Sequence, residues 1–151
     1  MDNKAIAGLL YETADLLEID NQDPFRIRSY RRAAEAVESL DQQVSQLITE
    51  PKKLLEVPGI GKGMLANLQD LLQQGQIGIH TELIQKYRPS MLELLKIQGL
   101  GPKTIALIWS AYQVADLEGV EKLAREGKIR TLPRMGEKHE QKLLKAIEDY
   151  R

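Results

Sequence analysis

The chain has 151 residues, of which 42 % are apolar and 5 % aromatic, with no cysteine and a formal net charge of −1. That apolar share supports a buried core in one domain or two small ones and excludes global disorder, while the scarcity of aromatics favours helix over sheet. The lack of cysteine excludes disulfide scaffolds and thiolate metal sites, no apolar run approaches the ~20 residues that span a bilayer, and the opening Met1-Asp2-Asn3 is not a signal peptide, so the expected location is cytoplasmic.

Helical spacing dominates from the start. Ile6, Leu9, Leu10, Thr13, Leu16 and Leu17 predict an amphipathic helix over 3–18. Asp23-Pro24 reads as an N-cap with a first-turn proline, opening a helix to about Leu40 with Phe25, Ile27, Tyr30, Ala33, Ala34 and Val37 inside. Short helices follow near Val44–Ile48 and from Pro51 to Glu56. After the turn Val57-Pro58-Gly59-Ile60-Gly61, a helix buries Leu65, Leu68, Leu71 and Leu72, and Gly75 and Gly78 break it. A short helix is expected near Thr81–Tyr87. Arg88-Pro89-Ser90 then separates two subdomains, 1–88 and 89–151, because proline disfavours helix in the residue before it. The second half repeats the scheme: helix Met91–Lys96, turn Ile97-Gln98-Gly99-Leu100-Gly101, helix Pro102–Tyr112, helix Asp116–Arg125, turn Leu132-Pro133-Arg134-Met135-Gly136, helix Glu137–Tyr150. Ile77–Ile79 is too short and glycine-rich for a strand, so the fold class is all-α.

The three turns share one chemistry. Each runs apolar-x-Gly-apolar-Gly into a helix, the third copy carrying Arg134 at the first glycine. Glycine permits positive φ and leaves the backbone uncovered, and the following helix offers free N–H groups and the positive end of its dipole. A phosphate fits such a place and needs little side-chain charge. The site residues are therefore Gly59, Gly61, Lys62 and Gly63; Gly99, Gly101, Lys103 and Thr104; and Gly136 and Lys138. Lys62, Lys103 and Lys138 stand in the first helical turn, where a cation is unfavourable to the dipole and so points to an outside anion. Arg28, Arg31 and Arg32, in a basic stretch that also holds Arg26, join them. Simple αα-corners with solvated lysines are the competing reading of any single copy. Arginine at positive φ is strained, so the third hairpin is expected to be altered or weaker.

These turns resemble the helix-hairpin-helix motif of DNA repair and replication proteins. The whole chain resembles the N-terminal region of bacterial family X DNA polymerases, through the opening Ile6–Leu17 helix, Asp23–Ala34, Val57–Ala66, Leu95–Lys103 and Arg125–Ile147. The resemblance implies a tandem helix-hairpin-helix fold, an N-terminal domain of the polymerase 8-kDa type followed by a helical DNA-binding subdomain, and sequence-independent contact with the DNA backbone. It also implies a cytoplasmic, nucleoid-associated protein with repair or replication proteins as partners, no membrane, and no required cofactor. By the same resemblance Na+ or K+ sits at the hairpins on main-chain carbonyls: Leu55, Val57 and Ile60 in the first, Leu95, Ile97 and Leu100 in the second. No catalytic residue is expected. A family X palm needs a Gly-Ser turn and an Asp-x-Asp metal pair, and the sequence contains neither. Family members with deoxyribose-phosphate lyase activity carry a Schiff-base lysine eight residues after the first hairpin glycine; that position is Asn67, and an amide forms no imine.

His80 and His139 lack partner spacing for zinc, and Asp15, Glu18 and Asp20 lack a calcium-loop pattern. Trp109 and Tyr112 follow the helical period of Ile105 and Ile108 and read as core; Tyr30 packs inward or stacks on a base. The leading expectation is a non-catalytic DNA binder. A protein-interaction module on the same fold and a lyase are the alternatives.

Overall fold

The computed structural model describes residues 1–151 and contains helices and turns without a strand. In chain order the helices are α1 (Asn3–Ile19), α2 (Pro24–Ser39), α3 (Val44–Leu47), α4 (Pro51–Leu55), α5 (Lys62–Gln74), α6 (Gly78–Tyr87), α7 (Ser90–Leu94), α8 (Pro102–Tyr112), α9 (Leu117–Arg125) and α10 (Glu137–Tyr150), with a 3-10 turn at Ile129–Thr131. Internal contacts divide the chain into Met1–Leu83 and Ile84–Arg151, a division that falls inside α6. None of these helices is long and apolar enough to cross a membrane.

In the first unit α1 packs along α2. Ile6, Leu10, Leu16 and Leu17 from α1 meet Ala33, Ala34 and Val37 from α2 in full burial, and Leu54, Leu68, Leu71 and Ile77 extend this core. Each such leucine contributes roughly 1.5–3 kcal/mol of burial. Asp2 caps α1 by accepting from Ala5 N at 2.8 Å, and Asp23 caps α2 by accepting from Phe25 N at 2.9 Å. Buried Asn3 fixes the α3 end: its amide donates to Gln42 O at 2.8 Å and its Oδ1 accepts from Val44 N at 2.8 Å. Phe25 departs from expectation. It is 73 % exposed, because the apolar face of α2 begins only at Ile27, and the Arg28 guanidinium lies 4.5 Å from its ring centre. Helix α6 also starts earlier than expected, at Gly78: Ile77 before it is fully buried, and Thr81 N donates to Ile77 O at 3.1 Å.

In the second unit Met91, Leu94, Ile105, Ile108, Val120, Ile129 and Ile147 form the core. Trp109 stands edge-on to Tyr87 with ring centres 5.6 Å apart. Ser90 Oγ donates to Ala115 O at 2.7 Å, and Asp116 caps α9 through Gly119 N at 2.7 Å.

One hydrogen-bond pattern occurs three times. In the first hairpin Val57 N donates to Leu54 O, Ile60 N to Val57 O and Leu65 N to Gly61 O. The second repeats it with Ile97 to Leu94, Leu100 to Ile97 and Ile105 to Gly101, and the third with Leu132 to Ile129, Met135 to Leu132 and Glu140 to Gly136. All nine bonds are 2.9–3.1 Å long. The left-handed residue is Gly59 (φ 101) in the first copy and Gly99 (φ 92) in the second. In the third it is Arg134 at φ 63, so the expectation of an altered third turn is corrected: the backbone keeps its form, and arginine takes the left-handed conformation that the turn dictates.

The third copy differs in its plug. Leu65 and Ile105 are buried at the position that Glu140 occupies, and Glu140 is 1 % exposed. Its Oε2 accepts from Arg130 N at 2.9 Å, and its Oε1 from Arg130 Nε and Nη2 at 3.1 and 2.9 Å. Arg130 in turn stands where the other hairpins carry Leu55 and Leu95. Burial pushes the Glu140 carboxyl up, but the Arg130 hydrogen bonds outweigh it and hold the carboxyl below its usual range. An apolar pair has thus been exchanged for an ion pair within one chain. A carboxyl with a depressed pKa stabilises the fold above its unfolded value, about 4.3, and that contribution fades as pH falls through the folded value. Glu140→Ala is therefore expected to lower the thermal midpoint at pH 7, since Arg130 N loses its acceptor. The double variant Arg130→Leu/Glu140→Leu, which copies the first hairpin, recovers most of that loss and unfolds with a weaker dependence on acid below pH about 4. Thermal unfolding of parent and variants at pH 7 and in acid checks both outcomes.

Candidate nucleic-acid interface

Two kinds of helix start contrast in the longer helices, while the short α3, α4 and α7 begin at Gln43, Glu50 and Pro89 without a side-chain cap. Helices α1, α2 and α9 begin with an aspartate whose carboxylate accepts a first-turn N–H. Helices α5, α8 and α10 begin with Gly61, Gly101 and Gly136, which have no side chain to do so. These three glycines are extended, with φ −95, −82 and −143, and a Cβ added at any of them would meet nothing within 4 Å. Glycine is thus not required there by strain or crowding. What it achieves is an open N-cap before first-turn amides that no side chain caps: Lys62, Gly63 and Met64 in α5, Lys103 and Thr104 in α8 where Pro102 has no N–H, and Glu137, Lys138 and His139 in α10. Such a helix start attracts an anion through both its donors and its dipole.

The side chains around these starts carry unengaged charge. Lys62, Lys103 and Lys138 are exposed and form no ion pair. Beside the first hairpin lies a cleft of about 500 Å³, bordered by Arg26, Ser29, Tyr30 and Arg32 of α2 and by Gly59, Gly61, Gly63 and Asn67. Gly59 is held hard against α2: a Cβ there would lie 3.1 Å from Arg32 O. Arg26 and Arg32 form no ion pair. Arg31 behaves differently. Its Nη1 and Nη2 bind Asp15 and Glu18 at 3.0 and 2.8 Å, so its charge is spent tying α2 to α1, and it does not border the cleft. Burial raises the Asp15 carboxyl, against the pull of Arg31. Arg28 covers the Phe25 ring. Residue pattern alone does not separate these four arginines; Arg26 joins the cleft because it precedes Tyr30 by one helical turn.

Tyr30 is buried, and Asn67 Nδ2 donates to its hydroxyl at 2.9 Å. The position expected for a lyase lysine therefore holds an amide engaged in a hydrogen bond at the cleft wall. In the third hairpin Glu137 begins α10 and stands 4.0 Å from Arg130 Nη1. A carboxylate in the first turn competes with any incoming anion, so electrostatics and not backbone shape sets this copy apart.

The carbonyls expected to hold a monovalent ion lie at the first two turns. Val57 O and Ile97 O each accept one turn hydrogen bond, whereas Leu55 O, Ile60 O, Leu95 O and Leu100 O accept none in their turns. Four uncommitted carbonyls in two tight turns are suitable hard-oxygen donors. No cluster of three or more histidine, aspartate or glutamate side chains offers a divalent site.

Comparison with known proteins agrees with this geometry. Residues 1–77 match the family described as helix-hairpin-helix domain, and residues 91–149 match the SAM-like helix-hairpin-helix tandem. The chain is 29 % identical over 147 residues to the DNA polymerase/3'-5' exonuclease PolX of Bacillus subtilis, covering 97 % of this chain and 25 % of that protein. It is 26 % identical over 111 residues to the Holliday junction branch migration complex subunit RuvA of Acidovorax ebreus, covering 62 % of this chain and 58 % of that subunit. The chain thus spans a quarter of the polymerase and rather more than half of the RuvA subunit. With the triple hairpin geometry and both matched segments together, the chain belongs to the helix-hairpin-helix family.

Proposed function

We propose that this chain binds the DNA backbone without sequence preference, through the glycine-capped starts of α5 and α8, with the α10 start contributing less. The observation that carries this reading is the contrast in capping among the longer helices: aspartate closes the starts of α1, α2 and α9, and bare glycine leaves the hairpin starts of α5, α8 and α10 open. A net charge of −1 is compatible with it, because backbone amides supply much of the attraction and Arg26, Arg32, Lys62 and Lys103 are free to add a salt-dependent part. The similarity to a DNA polymerase and to a Holliday junction subunit supports DNA as the anion and a role in repair or replication. Na+ or K+ on the Leu55, Val57 and Ile60 carbonyls, and on those of Leu95, Ile97 and Leu100, would neutralise part of an adjacent phosphate.

The chain is further proposed to be non-catalytic. Asn67 cannot form an imine, and its amide is committed to Tyr30. Incubation with abasic-site DNA and borohydride is expected to leave no trapped adduct; an adduct that survives repurification and disappears in a single-residue variant would refute this.

Substitution of the cap glycines tests the binding reading most directly. Gly59 is a poor probe, since a side chain there would press on Arg32 O and disturb the fold. At Gly61 and Gly101 the backbone accepts any residue. Gly61→Asp and Gly101→Asp place a carboxylate on the open amides, as Asp2 and Asp23 do in their own helices. Each is expected to hold or slightly raise thermal stability, by a few tenths of a kcal/mol. Each is expected to weaken binding to random-sequence duplex by about tenfold or more, the double variant most, because linked hairpins raise one another's effective concentration. Thermal unfolding and a salt titration of binding measure both. Folded variants that bind as the parent does would make the hairpins mere structural corners and favour a protein-interaction module.

A further inference from the structure

Helix α10 does more than begin at the third hairpin. Its length borders the second one. A cleft of about 380 Å³ lies between Gln98 and Gly99 on one side and His139, Lys142, Lys145 and Asp149 of α10 on the other, with Leu143 and Ala146 completing its lining. Lys142 and Lys145 are exposed, and neither forms an ion pair, with Asp149 or with any other carboxylate. Like charges three residues apart on a helix repel, so their pairing carries a small cost to α10. His139 also lines the cleft, with its Nε2 sealed from solvent. The turn facing them is open. A Cβ at Gly99 would meet nothing within 4 Å, whereas the equivalent Gly59 is closed off by α2.

We propose that this cleft is an additional phosphate site, in which Lys142 and Lys145 take a DNA backbone phosphate beside the one held by the α8 amides. The proposal rests on the DNA-binding reading above and enlarges the footprint of the second hairpin. Two lysines against one aspartate leave a single positive charge, suited to one phosphodiester and too little for a dense polyanion. Hairpin amides thus supply one contact and a side-chain wall supplies the next, an arrangement that α2 provides for the first hairpin with Arg26 and Arg32.

The test compares two double variants of equal charge in the full chain. Lys142→Ala/Lys145→Ala removes the wall; Lys4→Ala/Lys122→Ala removes two exposed lysines remote in sequence from both hairpins and outside the cleft. On random-sequence duplex the first is expected to weaken binding about tenfold and to reduce the slope of log affinity against log salt by roughly 1–2, with circular dichroism unchanged. The control is expected to shift affinity by less than about twofold. Equal effects from the two double variants would overturn the proposal, as would displacement of the duplex by poly-L-glutamate at matched charge, which would mark an acidic-peptide surface. Gly101→Asp separates the two levels: if it weakens binding while the lysine pair does not, only this cleft is lost; if neither does, the DNA-binding reading falls as well.

Discussion

The first-turn amides of α5, α8 and α10 have no acceptor within the protein, and the rest of the surface chemistry is arranged around them. A helix start left open at a protein surface is normally satisfied by a capping side chain or by water. Three other helices of this chain show that the sequence can supply aspartate caps where a closed start is wanted. Glycine at the hairpin starts, in a conformation open to any residue, is therefore a chemical choice and not a steric necessity. It keeps donors, dipole and approach path available together.

The cost of that openness is met by the turn itself. Each hairpin is fixed by the same three backbone hydrogen bonds and by side chains at equivalent places: Leu54 and Ile60 in the first and Leu94 and Leu100 in the second are buried, and in the third Ile129 is buried while Met135 is half-buried. The turn is rigid because its apolar residues are anchored in a core, so the exposed amides need no side chain to hold them. The third hairpin shows how far this tolerance reaches. Its left-handed position carries arginine and its plug is a buried glutamate clasped by Arg130, yet the backbone pattern is unchanged. Such a paired charge is satisfied and still acid-sensitive, unlike the leucines it replaces.

Charge is apportioned in the same spirit. Carboxylates pair with Arg31, Lys53, Arg125, Lys128 and Arg130. The cations near the open helix starts, Arg26, Arg32, Lys62 and Lys103, have no such partners. A chain with a net charge of −1 therefore presents local positive surfaces without being basic as a whole.

Helical period, proline and aspartate starts and repeated glycines made the ten helices legible from residue order, because those signals act within one or two turns of chain. Helix ends agreed within a few residues except at Gly78, where two glycines hid a helix start that only the packing of Ile77 secures. The position of each hairpin was equally plain, since apolar-x-Gly-apolar-Gly is a local pattern. What the residue order did not disclose was which charges are already taken. Arg26, Arg28, Arg31 and Arg32 look alike in sequence, and only the placement of Asp15 and Glu18 one helix away commits Arg31. Phe25 sits on the apolar count of α2 but outside the arc that α1 covers. Arg134 predicted a distorted turn, yet core anchoring by Ile129 and Leu132, with the Glu140 clasp, holds it in the left-handed form. The meeting of Gly99 with Lys142 and Lys145 joins segments more than forty residues apart. Local propensity thus determined the helices and turns, while pairing across the core decided which of their side chains remain free to meet an outside anion.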